Sequence, residues 1–178
     1  WWNDERGGTT SEFGAAVGIA RRAGLASRPH GGELLGPESV RKVVTALNPA
    51  RLGHGVRTTE DPDLLRRLID EGVAFEVCPT SNVHLGVYQD FSHVPLPVLM
   101  KYGATVALGA DDPLLFRSRL VQQYARARDT FSLSDQQIAD LASQSINASL
   151  ASRASKSQWH AHIQAWLNTP PYDGRNDS

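Results

Sequence analysis

Four short apolar runs, Leu25 to His30, Arg51 to His54, Val73 to Cys78 and Ala104 to Gly109, punctuate the chain, and each is followed by a stretch with helical spacing. Parallel strands need a long crossover between them, so this alternation predicts a parallel sheet covered by helices. After the first run, Gly36-Pro37 precedes Val40, Val43, Val44 and Leu47, an i, i+3, i+4, i+7 stripe with proline at the first helical position. After the second, Asp61 is the predicted N-cap before Pro62, while Leu64, Leu65, Leu68 and Ile69 form the apolar face and Gly72 supplies a left-handed stop. Further helices are predicted from Pro95 to Tyr102, from Pro113 to about Arg128, and from Glu12 to Ala23. Beyond Phe131 the pattern is wholly helical: Ser134 can cap a helix carrying Ile138, Leu141 and Ile146, and Trp159, Ile163 and Trp166 are expected in the core. Periodicity leaves two α/β architectures open, a doubly wound sheet and a barrel.

Composition removes several classes of function. The 178 residues carry 18 Lys and Arg against 19 Asp and Glu, a net charge of −1, which gives no electrostatic basis for binding nucleic acid or an anionic membrane. No apolar run approaches the ~20 residues of a membrane span. Cys78 is the lone cysteine, so neither a disulfide framework nor a multi-cysteine metal site can form within the chain, and a cytoplasmic location is expected. The first residues are Trp1-Trp2 with no leader pattern, and the chain is expected to be a fragment. Residues 1–169 read as one domain unit and 170–178 as a disordered tail.

The polar residues of interest cluster at the C-terminal ends of the predicted strands: His30 and Glu33, then His54, then Cys78 and Asn82, then Asp111 and Asp112. In either parallel architecture those ends lie on one rim, where such folds place ligands. Taken singly each has an ordinary reading. His30 could be a hydrogen-bonded structural histidine, Glu33 a surface carboxylate, and Asp111-Asp112-Pro113 a helix entry. His54 between Gly53 and Gly55 is harder to set aside, because paired glycines weaken a strand unless something must approach the backbone closely.

The strings PHGGE (Pro29 to Glu33), RLGHG (Arg51 to Gly55), EVCPTSN (Glu76 to Asn82) and LGADDP (Leu108 to Pro113) occur in order, and with them the chain resembles the adenosine deaminase family of zinc hydrolases. The resemblance implies a TIM-type (β/α)8 barrel, of which this chain is the second half, strands five to eight, followed by C-terminal helices. It implies zinc as cofactor, with His30 and Asp111 as ligands. By the same resemblance Glu33 donates a proton to the purine ring nitrogen, His54 orients or deprotonates the attacking water, and Asp112 and Gly32 contact the substrate. Cys78 and Asn82 are expected to give structural support. The implied partners are a purine nucleoside or base and water, and the implied product is a 6-oxopurine with release of ammonia.

Departures from the family pattern bear on substrate choice. Gly31 stands where alanine is common, Gly109-Ala110 where Asn-Thr is common, and Asn3 where many members place a glycine against the purine. The larger departure is that the family's first-strand HxH zinc ligands are not in this chain. His160-Ala161-His162 spells HxH, but residues two apart on a helix point to different faces, so the pair is expected to be incidental. His84 and His93 are expected in an exposed loop. Half a barrel leaves sheet edges unpaired, so the isolated chain is expected to be poorly stable or to self-associate. Two alternatives remain at this level: another metal-dependent barrel hydrolase, and a catalytically dead remnant serving as a structural or binding module. The other zinc-deaminase plan, with paired cysteines, is excluded by the lone Cys78.

Overall fold

The computed structural model describes residues 5–7 and 10–170. Four strands, β1 (His30–Gly31), β2 (Arg51–His54), β3 (Ala74–Val77) and β4 (Val106–Leu108), form one parallel sheet in the order β1-β2-β3-β4. Strands laid down in sequence order, each joined to the next across the same sheet face, curve progressively around an axis. A doubly wound sheet would instead reverse direction at a switch point. The order therefore settles the question that periodicity left open, in favour of part of a barrel.

The covering helices are α1 (Gly14–Arg22), α2 (Pro37–Leu47), α3 (Pro62–Asp70), α4 (Pro79–His84), α5 (Leu96–Lys101), α6 (Leu120–Phe131), α7 (Asp135–Asn147) and α8 (Arg153–Leu167). Their ends follow the sequence signals. Asp61 accepts from the Leu64 amide at 3.0 Å, Ser134 and Gln137 form a reciprocal capping box, and Gly72 takes φ +75° just past α3.

Period-two alternation sorts the strand side chains. Leu52, Phe75, Val77, Val106 and Leu108 face the helices and join Val40, Val43, Leu47, Leu64, Leu65 and Leu68 in a single buried cluster. Each such leucine contributes about 1.5–3 kcal/mol of burial, and truncating Leu68 to alanine would cost about 2–5 kcal/mol. The other face is polar. His30, Gly53, Glu76 and Ala107 are aligned across the four strands by register, and Arg51 lies one pleat below. There Glu76 is paired with Arg51 at 2.5 Å and with Arg28 at 3.3 Å.

Several expected elements are shorter than their sequence patterns. The first strand pairs only at His30–Gly31, because Pro29 has no amide hydrogen and the chain before it serves β2 as acceptor, Pro29 O taking the Gly53 amide at 2.8 Å. The helix expected from Pro113 starts at Leu120. Residues 113–117 form a separate turn, Arg117 has φ +48°, and Gln122 reaches back to the Arg119 amide to start the helix. The expected core placement of Trp159, Ile163 and Trp166 is corrected: α8 packs on α7 with no buried residue, leaving Trp159 41% and Trp166 44% exposed. An apolar stripe specifies a face but not what covers it. Trp166 lies under the Arg128 guanidinium at 6.0 Å.

On the free side of β4, the Val106 amide donates to Gln144 Oε1 of α7 at 2.8 Å. Among the described residues no helix is long and apolar enough to cross a membrane. Residues 171–178 of the expected 170–178 tail, and the Asn3 position, lie outside the described residues.

Candidate active site

Strict alternation would send His54 to the helix-covered face with Leu52. Its backbone instead turns left-handed, φ +62°, at the end of β2, and the imidazole lines a cavity of about 310 Å³ on the polar face together with His30, Cys78 and Asp111. Asp111, after β4, shares this conformation at φ +56°. Non-glycine residues in that region store strain, which concentrates at sites where side-chain direction matters more than backbone comfort. The flanking glycines are explained by contact. A Cβ on Gly53 would lie 2.7 Å from the His30 ring, and one on Gly55 would lie 2.6 Å from Phe75 and 2.9 Å from Leu52. Close approach is what the glycine pair predicts, and His30 is the group that approaches.

His54 is 3% exposed and sits between two carboxylates. Its Nδ1 is 3.2 Å from Glu33 Oε1, and its Nε2 is 3.9 Å from Asp111 Oδ2. Glu33, His54 and Asp111 each present an atom capable of binding metal, and those atoms lie within 4.8 Å of one another. The His30 ring stacks on His54, centroids 5.1 Å apart, and its Nδ1 is buried with no hydrogen-bond partner. Burial pushes the His54 pKa down to about 4, outweighing the opposing pull of Asp111, so the ring is neutral at physiological pH. Burial likewise lowers His30, against the attraction of Asp111. Burial pushes the Cys78 thiol up to about 12, which keeps it protonated at neutral pH.

Glu33 is held at both ends. Its amide donates to Glu5 Oε2 at 3.3 Å, and Glu5 also accepts from the Leu35 amide, fixing the loop that follows β1. Its carboxylate oxygen Oε1 accepts from Asn82 Nδ2 at 2.9 Å, and the same nitrogen is 3.2 Å from His54 Nδ1. Gly32 takes φ +70°, and a Cβ there would meet Val40 at 2.5 Å. It shapes the turn into Glu33 and is not among the residues lining the cavity.

Not every expected residue converges. Asp112 is exposed, and its Oδ1 accepts from the Leu114 and Leu115 amides, both at 3.1 Å, which is the helix-entry reading realised as a turn cap. His160 and His162 lie on α8, where His160 Nε2 bonds Asn147 Oδ1 at 2.9 Å. His84 and His93 are exposed as expected, but the expected loop is corrected: His84 closes α4 and stacks on Phe116 at 5.8 Å, and His93 ends a 3-10 turn (Phe91–His93) and pairs with Asp90 at 2.9 Å. Sequence reasoning placed Asn82 in support, and the structure brings it into contact with both acid and imidazole. Glu5 was missed, because nothing local ties a carboxylate to a loop 28 residues away.

The geometry has counterparts. The sequence profile described as Adenosine deaminase matches residues 2–166. A putative adenosine/adenine deaminase of Streptomyces coelicolor is 52% identical over 165 residues, covering 93% of this chain and 48% of that protein. The crystal structure of an adenine deaminase from Arthrobacter aurescens superposes with a TM-score of 0.90 at 30% identity, covering 94% of this chain and 51% of that one. A zinc-bound amidohydrolase from Burkholderia ambifaria shares the fold, with a TM-score of 0.77 at 22% identity over 87% of this chain and 44% of its own. This chain thus spans about half the length of the relatives it matches.

Proposed function

Because the chain belongs to the adenosine deaminase family, we propose that the protein carrying it hydrolyses the exocyclic amine of an adenine-containing compound, releasing ammonia and a 6-oxopurine. The observation that carries this reading is the neutral, buried His54 bracketed by Glu33 and Asp111 on the rim where the strands end. Adenine and adenosine are the proposed substrates, after the names of the relatives.

In this reading His30 and Asp111 would hold a zinc ion. The buried, partnerless His30 Nδ1 and the imidazole and carboxylate donors gathered around one cavity suit that metal. Two further ligands are proposed to come from sequence outside this chain. When bound, zinc makes a water acidic enough to react as hydroxide near neutral pH. Glu33 carries a proton and delivers it to ring nitrogen N1, so that the C6–N1 double bond accepts the water oxygen at C6. His54, neutral and fixed by its neighbours, orients that oxygen and stabilises the charge that develops there. The C6–N bond then breaks, the amine leaves as ammonia with a proton from the new hydroxyl, the C6 carbonyl forms, and the proton that the water gave up on becoming hydroxide returns Glu33 to its acid form. Gly32 and Asp112 are proposed to contact the base, Asp112 through the carboxylate oxygen that does not cap the turn. Cys78 takes no chemical part. The lone thiol is in keeping with a reducing compartment, and the cytoplasm is the proposed location.

A second reading has a specific observation behind it: the chain spans half the length of its relatives, so by itself it can act as an inactive structural or binding module. Ammonia release from adenine and adenosine, measured beside zinc content for this chain and for the complete protein that carries it, separates the two. In the complete protein, Glu33→Gln should lower kcat about 100-fold or more with zinc retained. A zinc-loaded complete protein that releases no ammonia from either compound overturns the deaminase reading.

A further inference from the structure

Asn82 is fully buried on the short helix α4, and its carboxamide nitrogen forms a triangle with the two groups that matter most: 2.9 Å to Glu33 Oε1 and 3.2 Å to His54 Nδ1, with 3.2 Å between those two atoms. An amide NH₂ has two hydrogens to give, and each neighbour is an atom that can accept one. The reading of Glu33 as a proton donor, on which this inference rests, adds a constraint. A carboxyl group that reserves its hydrogen for a substrate presents its other oxygen as a pure acceptor. If His54 Nδ1 is also an acceptor, the two lone pairs face each other at 3.2 Å and repel unless a third group places hydrogens between them. The alternative way to relieve that repulsion is a hydrogen on His54 Nδ1 bonded to an ionised Glu33, in which case the acid has lost what it must deliver.

We propose that Asn82 is a positioning residue whose two amide hydrogens hold Glu33 Oε1 and His54 Nδ1 side by side as acceptors, keeping the hydrogen of Glu33 for the substrate and the hydrogen of His54 on Nε2, toward Asp111. Three features favour this assignment over a packing role. Asn82 is wholly shielded from water, so each bond it makes acts at low dielectric. Its Oδ1 is buried with no hydrogen-bond partner, a cost that packing alone would remove by substituting an apolar residue. The Glu5 clamp acts on the Glu33 amide, whereas the bond from Asn82 acts on the carboxyl oxygen itself, at the reacting end of the side chain.

The test uses the complete, zinc-loaded protein. Asn82→Ala should lower kcat about 10- to 100-fold with little change in KM and no loss of zinc, the size expected when a group that orients a reacting side chain is removed. Asn82→Ser, which keeps one donor, should fall between it and the wild type. Nitrogen-15 spectra of the His54 ring, recorded without substrate, should show the Nε2–H tautomer in the wild type and a shift toward Nδ1–H in Asn82→Ala. If the alanine variant does not fold, the serine variant carries both measurements. Unchanged kcat in a folded variant, a loss that tracks zinc content, or an unaltered His54 tautomer overturns the proposal. A wild-type protein that releases no ammonia counts against the deaminase reading instead, while the ring spectra still decide the role of Asn82.

Discussion

His54 reaches the cavity because its backbone abandons the extended conformation at the last residue of the strand, and its neutral state there follows from burial. That state has a measurable consequence in the metal-free protein. The folded-state pKa of about 4 lies below the ordinary 6.5, so the unfolded chain binds a proton more readily between those two values. The stabilising contribution is therefore complete above pH 6.5 and is lost as pH falls toward 4. The unfolding free energy from urea titrations should fall by up to about 1.4 kcal/mol for each pH unit of acidification across that interval from this group, and His54→Gln should flatten that part of the profile. A flat wild-type profile, or one that His54→Gln leaves unchanged, would refute this account.

At the scale of elements, a polar knot ties the loop bearing Asp111 to its surroundings. Fully buried Gln123 of α6 accepts from the Thr80 amide at 3.3 Å and from its hydroxyl at 3.1 Å, and donates to Ser118 Oγ at 2.6 Å, while Arg126 adds a bond to Thr80. Gln123→Leu leaves Thr80 and Ser118 without this partner and should destabilise the fold by about 2–4 kcal/mol, with faster amide hydrogen exchange in residues 111–119. Exchange rates unchanged there would mean that the knot does not restrain the loop. This is also the scale at which sequence and structure part company. α2 and α3 were legible in full, because proline, aspartate and glycine mark their ends and a four-residue apolar stripe marks their buried face. His30, Glu33, His54 and Asp111 were legible as a set because they recur at strand ends within ordered motifs. Asn82 reads in the sequence as support only, since its partners come from two other segments and meet it through folding. The exposure of Trp159 and Trp166 was hidden for the opposite reason: their spacing is that of a packed face, and spacing carries no information about whether a neighbour exists.

For the whole molecule, the four-stranded sheet buries one face under helices and turns the other, lined by His30, Arg51, Glu76 and Asp111, toward the centre of a barrel. With relatives about twice as long, that concave face and the outer edge of β1 are the surfaces an additional half would occupy. The isolated chain should accordingly elute in size-exclusion chromatography as self-associated species and melt broadly. Co-expression with the part of the Streptomyces coelicolor relative that this chain does not match should convert it to a one-to-one complex with a sharp transition. A sharply melting monomer in isolation would count against this view.

The outer margin of β4 imposes a further condition on any such assembly. Phe75 takes the Thr105 carbonyl and Gly109 takes the Val77 carbonyl, so the odd-numbered positions of β4 serve β3 and the even-numbered ones look outward. Gln144 already engages the amide of Val106. An incoming strand finds that amide already taken, and the next outward-looking amide on β4 is that of Leu108, two residues closer to Asp111. One glutamine on a neighbouring helix thus withdraws a single donor from the outer margin of β4, so a strand laid there would have one amide fewer to bond.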